Sequence, residues 1–225
     1  MKNEKNLKTY LTLCEQGKNR KEISDIMGVT LRSVTNYQKK TGVKPVYNPR
    51  FPNLNEDYFS TIDTEEKAYI LGFIYADGYL ESNERTLTFN ISQKDIDILL
   101  KIKKALKCGN EVKKSSTKNC VRLHLSSIKL VSDLKKLGVS RRKSLVISFP
   151  KLDEKLYRHF IRGYFDGDGH IGKRQCALNI GSKSFYKGFS EYIKRVFDKE
   201  LYKNDMSNYY RIQFNRADHE IIKWM

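Results

Sequence analysis

The twelve residues 69–80, YILGFIYADGYL, are written a second time at 160–171 as FIRGYFDGDGHI. Setting Asp77 on Asp168 puts Gly72 on Gly163, Ala76 on Gly167 and Gly78 on Gly169. FNISQK (89–94) then falls in step with LNIGSK (178–183), and VRLHL (121–125) with IQFNR (212–216) in its in-out alternation. A repeat of this length constrains the architecture before any single residue does, because each copy has to build the same unit. Most of residues 65–225 must therefore fold as two similar halves.

Within each copy the small residues Gly72/Ala76 and Gly163/Gly167 stand four apart on one helical face, which lets two helix backbones approach closely. Leu71, Ile74 and Tyr75, and Ile161, Tyr164 and Phe165, supply bulk for the remaining faces. Gly78 and Gly169 are expected to end the helices in the left-handed conformation. Two such helices side by side bring Asp77 and Asp168 together at one end. That end of a helix disfavours negative charge, and two neighbouring carboxylates repel. A divalent cation removes both conflicts, and Mg²⁺ binds through one or two carboxylates, completing its shell with water and phosphate oxygens. Asp-Gly also punctuates ordinary turns, but two aligned copies favour the metal. Asp166 has Tyr75 as its counterpart, so it reads as a helix-end residue or as one that supports the metal ligands from behind, and His170 as a polar, non-catalytic one.

The chain carries 43 Lys and Arg against 26 Asp and Glu, a net charge of +17. Such an excess points to a polyanionic partner, nucleic acid first. A membrane surface is the rival, yet no apolar run reaches spanning length and the start does not read as a signal peptide. The four Cys and four His are scattered without metal-ligand spacing, which argues against a zinc site and a disulfide framework. The expected compartment is reducing, cytoplasmic or otherwise intracellular.

Residues 1–44 read as a small all-α unit. A helix over 6–15 has Leu7, Leu11 and Cys14 at helical spacing and ends at Gln16-Gly17. A second helix has Ile23, Ile26 and Met27 on its inner face. Gly28 supplies a tight turn with positive φ, Val29 plugs it, and Thr30 caps a third helix whose inner face is Val34 and Tyr37. The pattern resembles the helix-turn-helix family. In that arrangement the third helix enters the major groove, with Arg32, Ser33, Thr35 and Asn36 toward base edges and Lys39 and Lys40 toward phosphates. An ordinary three-helix packing unit would give the same pattern. Residues 45–63 read as a proline-rich linker, with Pro45, Pro49 and Pro52 stiffening it and Lys44 and Arg50 available to phosphates.

Between the repeated helices lie alternating strands. Leu87, Phe89 and Ile91 face one way, and Thr86, Thr88, Asn90 and Ser92 the other. Val121, Leu123 and Leu125 oppose Arg122 and His124; Tyr210, Ile212 and Phe214 oppose Arg211, Gln213 and Asn215. Thr88, Asn90, Arg122, His124, Arg211, Gln213 and Asn215, with Asn179 at the place of Asn90, are of the types that read base edges. A solvated sheet face would alternate in the same way.

ILGFIYADG and IRGYFDGDG together closely resemble the paired motifs of the LAGLIDADG homing endonucleases, and the likeness covers the chain beyond the linker. The resemblance implies an α+β fold, a duplicated αββαββα saddle with pseudo-twofold symmetry, its halves at 64–150 and 151–225. It implies a site-specific double-strand DNA endonuclease, mobile with an intron or intein, acting as a monomeric pseudo-dimer with Mg²⁺, or Mn²⁺ in its stead. By the same resemblance Asp77 and Asp168 are catalytic metal ligands, joined by the backbone at Ala76 and Gly167. Gln93 and Lys143 are further catalytic residues. A non-cleaving DNA- or RNA-binding regulator or maturase on the same scaffold is the alternative. The counterpart of Lys143 would fall near 234 (143 plus the offset 168 − 77), past Met225, so the second half is expected to lack its last helix and its Lys.

Overall fold

The computed structural model describes residues 2–45, 53–141, 143–172, 176–206 and 209–225. It divides into two compact units, Met1–Pro52 and Asn53–Met225.

In the first unit, α1 (Lys2–Glu15), α2 (Arg20–Met27) and α3 (Leu31–Thr41) surround Tyr10, Leu13, Ile23 and Val34. Asn19 starts α2 with a reciprocal capping box to Glu22. Gly28 ends it at φ 59°, and the Thr30 hydroxyl accepts from the Ser33 N–H to open α3, as expected. Two inner positions differ. Ile26 is 57% exposed, because an eight-residue helix with one covered stripe keeps Ile23 and Met27 in and turns the residue between them out. On α1 it is Tyr10 and Leu13 that are buried, with Leu11 and Cys14 at the margin and Leu7 outside the cluster. Tyr10 is seated by its hydroxyl, which donates to the Val43 carbonyl at 2.7 Å.

In the second unit the first half runs α4 (Glu65–Asp77), β1 (Gly78–Leu80), β2 (Thr86–Ser92), α5 (Ile96–Ala105), β3 (Lys113–Lys114), β4 (Cys120–Ser126) and α6 (Ile128–Lys136). The second half repeats the order as α7 (Tyr157–Asp168), β5 (Gly169–Ile171), β6 (Cys176–Ile180), α8 (Lys183–Phe197), β7 (Lys203–Asp205), β8 (Tyr210–Phe214) and α9 (His219–Trp224). Each half holds one antiparallel sheet, ordered β1-β2-β4-β3 and β5-β6-β8-β7. Phe89 pairs with Leu123 and Leu178 with Ile212. These residues and their inward neighbours join α4 and α7 in one core. The second half thus has its last helix, α9, at the place of α6, which overturns the expectation that this helix is missing: α9 begins as far along the chain from Asp168 as α6 does from Asp77.

The linker also ends earlier than expected. Tyr58 and Phe59 are buried in the core of the second unit, and Tyr58 donates to Glu66 at 2.8 Å. Two aromatic side chains seeking burial outweigh the solvated reading of 53–63. Arg50 and the rest of 46–52 lie outside the described residues.

The α4–α7 contact is built on glycine. A Cβ added at Gly72 would lie 2.0 Å from the Phe160 carbonyl oxygen, and one at Gly163 would lie 2.0 Å from that of Tyr69. The two clashes are the same contact seen from each half. Ala76 and Gly167 meet lower down, where a Cβ on Gly167 would come within 2.4 Å of the Ala76 Cβ. Gly78 and Gly169 depart from expectation: their φ values, −72° and −84°, are extended, not left-handed. The chain leaves each helix directly into a strand, so no reversal is needed. Glycine is required there by space, since a Cβ would meet the Ile74 or Phe165 carbonyl oxygen at 2.7 or 2.3 Å. Gly78→Ala should lower stability by about 1–3 kcal/mol, read by thermal melting.

Candidate active site

Asp77 and Asp168 occupy the last turns of α4 and α7, side by side because the glycine faces above them hold the backbones together. A Cβ on Gly167 would be 3.1 Å from Asp77 Oδ2. Burial, first, and the Asp168 carboxylate, second, push the Asp77 carboxyl up to about 6; Lys143 opposes this and Asp95 adds to it. Burial likewise raises Asp168, against Lys143 and a hydrogen bond with the Tyr164 hydroxyl. Lys143 lies in a 3₁₀ turn, Lys143–Leu145. Its buried ammonium is pulled below the ordinary lysine range by desolvation and held up by the two carboxylates, while Nζ donates to the Ala76 carbonyl. Lys143 is thus brought to the aspartates from a distant stretch of chain. Two carboxylates against one ammonium leave net negative charge in a half-buried place, a donor set suited to a hard divalent cation. The Ala76 carbonyl, expected to face the metal, is engaged by Lys143 instead. Among the described residues, no group of three or more His, Cys, Asp or Glu converges to hold an ion.

Beside Asp77 a cavity of about 600 Å³ is lined by Tyr69, Phe73, Asn90, Lys94, Asp95 and Asp166, among others. Gln93, expected here, is exposed and absent from that lining. It opens the 3₁₀ turn Gln93–Asp95, whose winding directs Lys94 and Asp95 to the cavity. Asp95 was not singled out from the sequence, where nothing set it apart from other surface acids. Asp166 accepts from the Tyr69 hydroxyl at 2.6 Å, a bond tying one repeat to the other.

Across the sheets, Asn90 pairs with Arg122 and Asn179 with Arg211, at equivalent places in the two halves. Asn90 is exposed; Arg122, His124, Asn179, Arg211 and Gln213 are half-buried. Arg211 lies 3.4 Å from Asn179 Oδ1. Thr88 departs from expectation. It is buried, and its hydroxyl is taken by Glu81 at 2.8 Å and His124 Nδ1 at 2.9 Å, because a short side chain beside long polar ones is covered by them. Thr86 is buried too. Asn215 lies past the end of β8, where its side chain caps a 3₁₀ turn by accepting from the Ala217 N–H at 2.7 Å. In the first unit, Arg32, Asn36 and Lys39 are exposed on α3. The hydroxyls of Ser33 and Thr35 are committed, Ser33 to the Thr30 cap at 3.0 Å and Thr35 to the Leu31 carbonyl at 2.9 Å, as hydroxyls near a helix start commonly are.

The fold and this site together define an α+β protein of LAGLIDADG-like architecture, and the model of the LAGLIDADG-like domain matches residues 155–221. Full-length DUF199/WhiA from Thermatoga maritima superposes with a TM-score of 0.51 at 17% identity, over 76% of this chain and 58% of that one. The LAGLIDADG meganuclease I-AabMI, bound to uncleaved DNA, also gives 0.51, at 14% identity over 72% and 83%. In sequence, the chain is 25% identical to the replication factor C small subunit of Methanocaldococcus jannaschii over 75% of its own length. It is 27% identical to that organism's probable translation initiation factor IF-2 over 64%. It spans only 9% and 13% of those two proteins. No helix among the described residues is long and apolar enough to cross a membrane.

Proposed function

We propose that this protein is a site-specific, divalent-metal-dependent endonuclease acting on double-stranded DNA, each half contributing one aspartate. The observation that carries the reading is the pairing of Asp77 and Asp168 in a partly buried place with Lys143 beside them. Asp77 and Asp168 would hold Mg²⁺ or Mn²⁺, with the Gly167 carbonyl as a backbone donor. Such an ion supplies Lewis-acid polarisation of a phosphate and an activated water. Lys143 positions the Ala76 end of α4 and offsets negative charge that builds on the scissile phosphate. The exposed Asn90 and the half-buried Arg122, His124, Arg211 and Gln213 face the bases, within a strongly basic chain. Exposed Arg32, Asn36 and Lys39 make the first unit a helix-turn-helix reader that extends the contacted site.

The test is selection from a randomised duplex library with Mg²⁺, using the wild type, Asp77→Asn and Asp168→Asn. Cleaved products from the wild type alone are expected. Specific binding by all three with cutting by none would replace this reading with that of a non-cleaving DNA-binding protein. On the selected site, Lys143→Met should lower the cleavage rate by about 10²-fold or more with binding nearly unchanged, checked by single-turnover kinetics. Asn36→Ala should cost about 1–3 kcal/mol and relax preference at one base pair. Lys39→Ala should weaken all sequences alike and reduce the salt slope by about one. Salt-dependent titration of the two variants separates these outcomes.

A further inference from the structure

The outward face of the first sheet carries one polar cluster in which every shared proton can be placed. Thr88 of β2 stands opposite His124 of β4. Glu81 follows β1, and its N–H donates to the Thr86 carbonyl at 3.0 Å. The Thr88 hydroxyl lies 2.8 Å from Glu81 Oε1 and 2.9 Å from His124 Nδ1, and these last two atoms are 3.3 Å apart. A carboxylate only accepts, so the single Thr88 proton goes to Glu81. The hydroxyl oxygen then turns a lone pair to His124, and Nδ1 must carry a hydrogen to meet it. In the opposite tautomer the Nδ1 lone pair would face the carboxylate, and Thr88 would have one proton for two acceptors. The Asn83 side-chain amide donates to Glu81 Oε2 at 3.3 Å, which steadies the carboxylate. Thr88 is buried, so water does not take its place between the two.

We propose that Glu81 and Thr88 are positioning residues that hold His124 as the Nδ1–H tautomer, so that its Nε2 accepts from the exocyclic amino group of an adenine or cytosine in the major groove. A neutral imidazole with Nδ1–H has a bare Nε2. That nitrogen sits across the ring from Thr88 and Glu81, on a side chain 43% exposed, and no hydrogen bond to it forms among the described residues. In the major groove adenine N6 and cytosine N4 are donors, whereas guanine N7 and O6 and thymine O4 only accept. Each base pair has one such amino group, so the contact reads which strand carries it. The second half has no such device. Gly172, Ala177 and Gln213 stand at the places of Glu81, Thr88 and His124, and a glutamine amide offers a donor and an acceptor alike. The two half-sites are therefore read by different rules at equivalent positions. The inference rests on the DNA-reading role proposed above, though not on cleavage.

Two readouts test it. Long-range ¹H–¹⁵N NMR spectra of the full chain without DNA, at pH 8, report the tautomer, with His124 assigned by the signal missing from His124→Ala. A protonated Nδ1 and a bare Nε2 are expected. Glu81→Met frees the Thr88 proton for Nδ1 and should move the hydrogen to Nε2. The second readout is a duplex selected for binding by the wild type. His124→Ala should abolish preference at one position, where the wild type favours adenine or cytosine over guanine or thymine by about tenfold or more. Glu81→Met should reduce that ratio by about tenfold or reverse it. Glu81 is half-buried, so unchanged melting curves show that the variant is folded. Hydrogen on Nε2 of wild-type His124, or on both nitrogens, overturns the proposal. So does a preferred guanine or thymine at that position, or a selected duplex indifferent to His124→Ala. Failure to select any duplex, with the expected tautomer present, overturns the DNA-binding reading and this inference with it.

Discussion

Gly163→Ala should cost the second unit about 3 kcal/mol or more, toward the upper end of what an overpacked core position loses. The new methyl would lie 2.0 Å from the Tyr69 carbonyl oxygen and 2.8 Å from its carbon. Both atoms are backbone of α4, most of whose residues are buried, so no side chain can swing away. α4 and α7 have to move apart, and the aspartates beneath them part as well. For a unit of this size, the loss corresponds to a melting temperature lower by about 6–12 °C. Gly109→Ala is the control: nothing lies within 4 Å of its added Cβ, and its melting curve should hardly move.

Asp77→Asn should do two opposite things. Cleavage of a selected site in Mg²⁺ should fall by about 10³-fold or more, because one of two metal-holding carboxylates is gone. The metal-free protein should become more stable at pH 8. The folded state raises this carboxyl from 3.8 to about 6, so between those values the folded chain binds a proton that the unfolded chain has released. Stability therefore falls as pH rises from about 4 to 6 and stays reduced above. About two pKa units correspond to roughly 3 kcal/mol at most. The asparagine variant, uncharged throughout, should lack that decline. Chemical denaturation of the metal-free wild type and variant at pH 4.5 and 8 tests the sign. Equal losses over that range in both proteins would show that Asp77 is not the group held in an unfavourable charge state.

The two effects have one cause. A site that is costly when its carboxylates are ionised is one in which a divalent cation gains the most. Lys143 tempers the repulsion without cancelling it, being one ammonium against two carboxylates.

Much of this was legible in the residue order. The repeat announced two matching halves, and the small residues at Gly72, Ala76, Gly163 and Gly167 announced that two helices touch. Both conclusions depend on local spacing, which the chain carries whatever it packs against. The inward alternation of Leu87, Phe89 and Ile91 was readable for the same reason, as were Gly28 and Thr30 at the turn between α2 and α3. Folding in space decided the rest. Whether Gly78 turned left-handed or ran straight into a strand depended on where β1 had to go. Whether Thr88 faced solvent depended on Glu81, just past β1, and His124 of β4 closing over it. Gln93 was displaced by Asp95 at the cavity through the winding of a single turn. Periodicity reports which face of an element is apolar, whereas what meets that face is set by the packing of the whole.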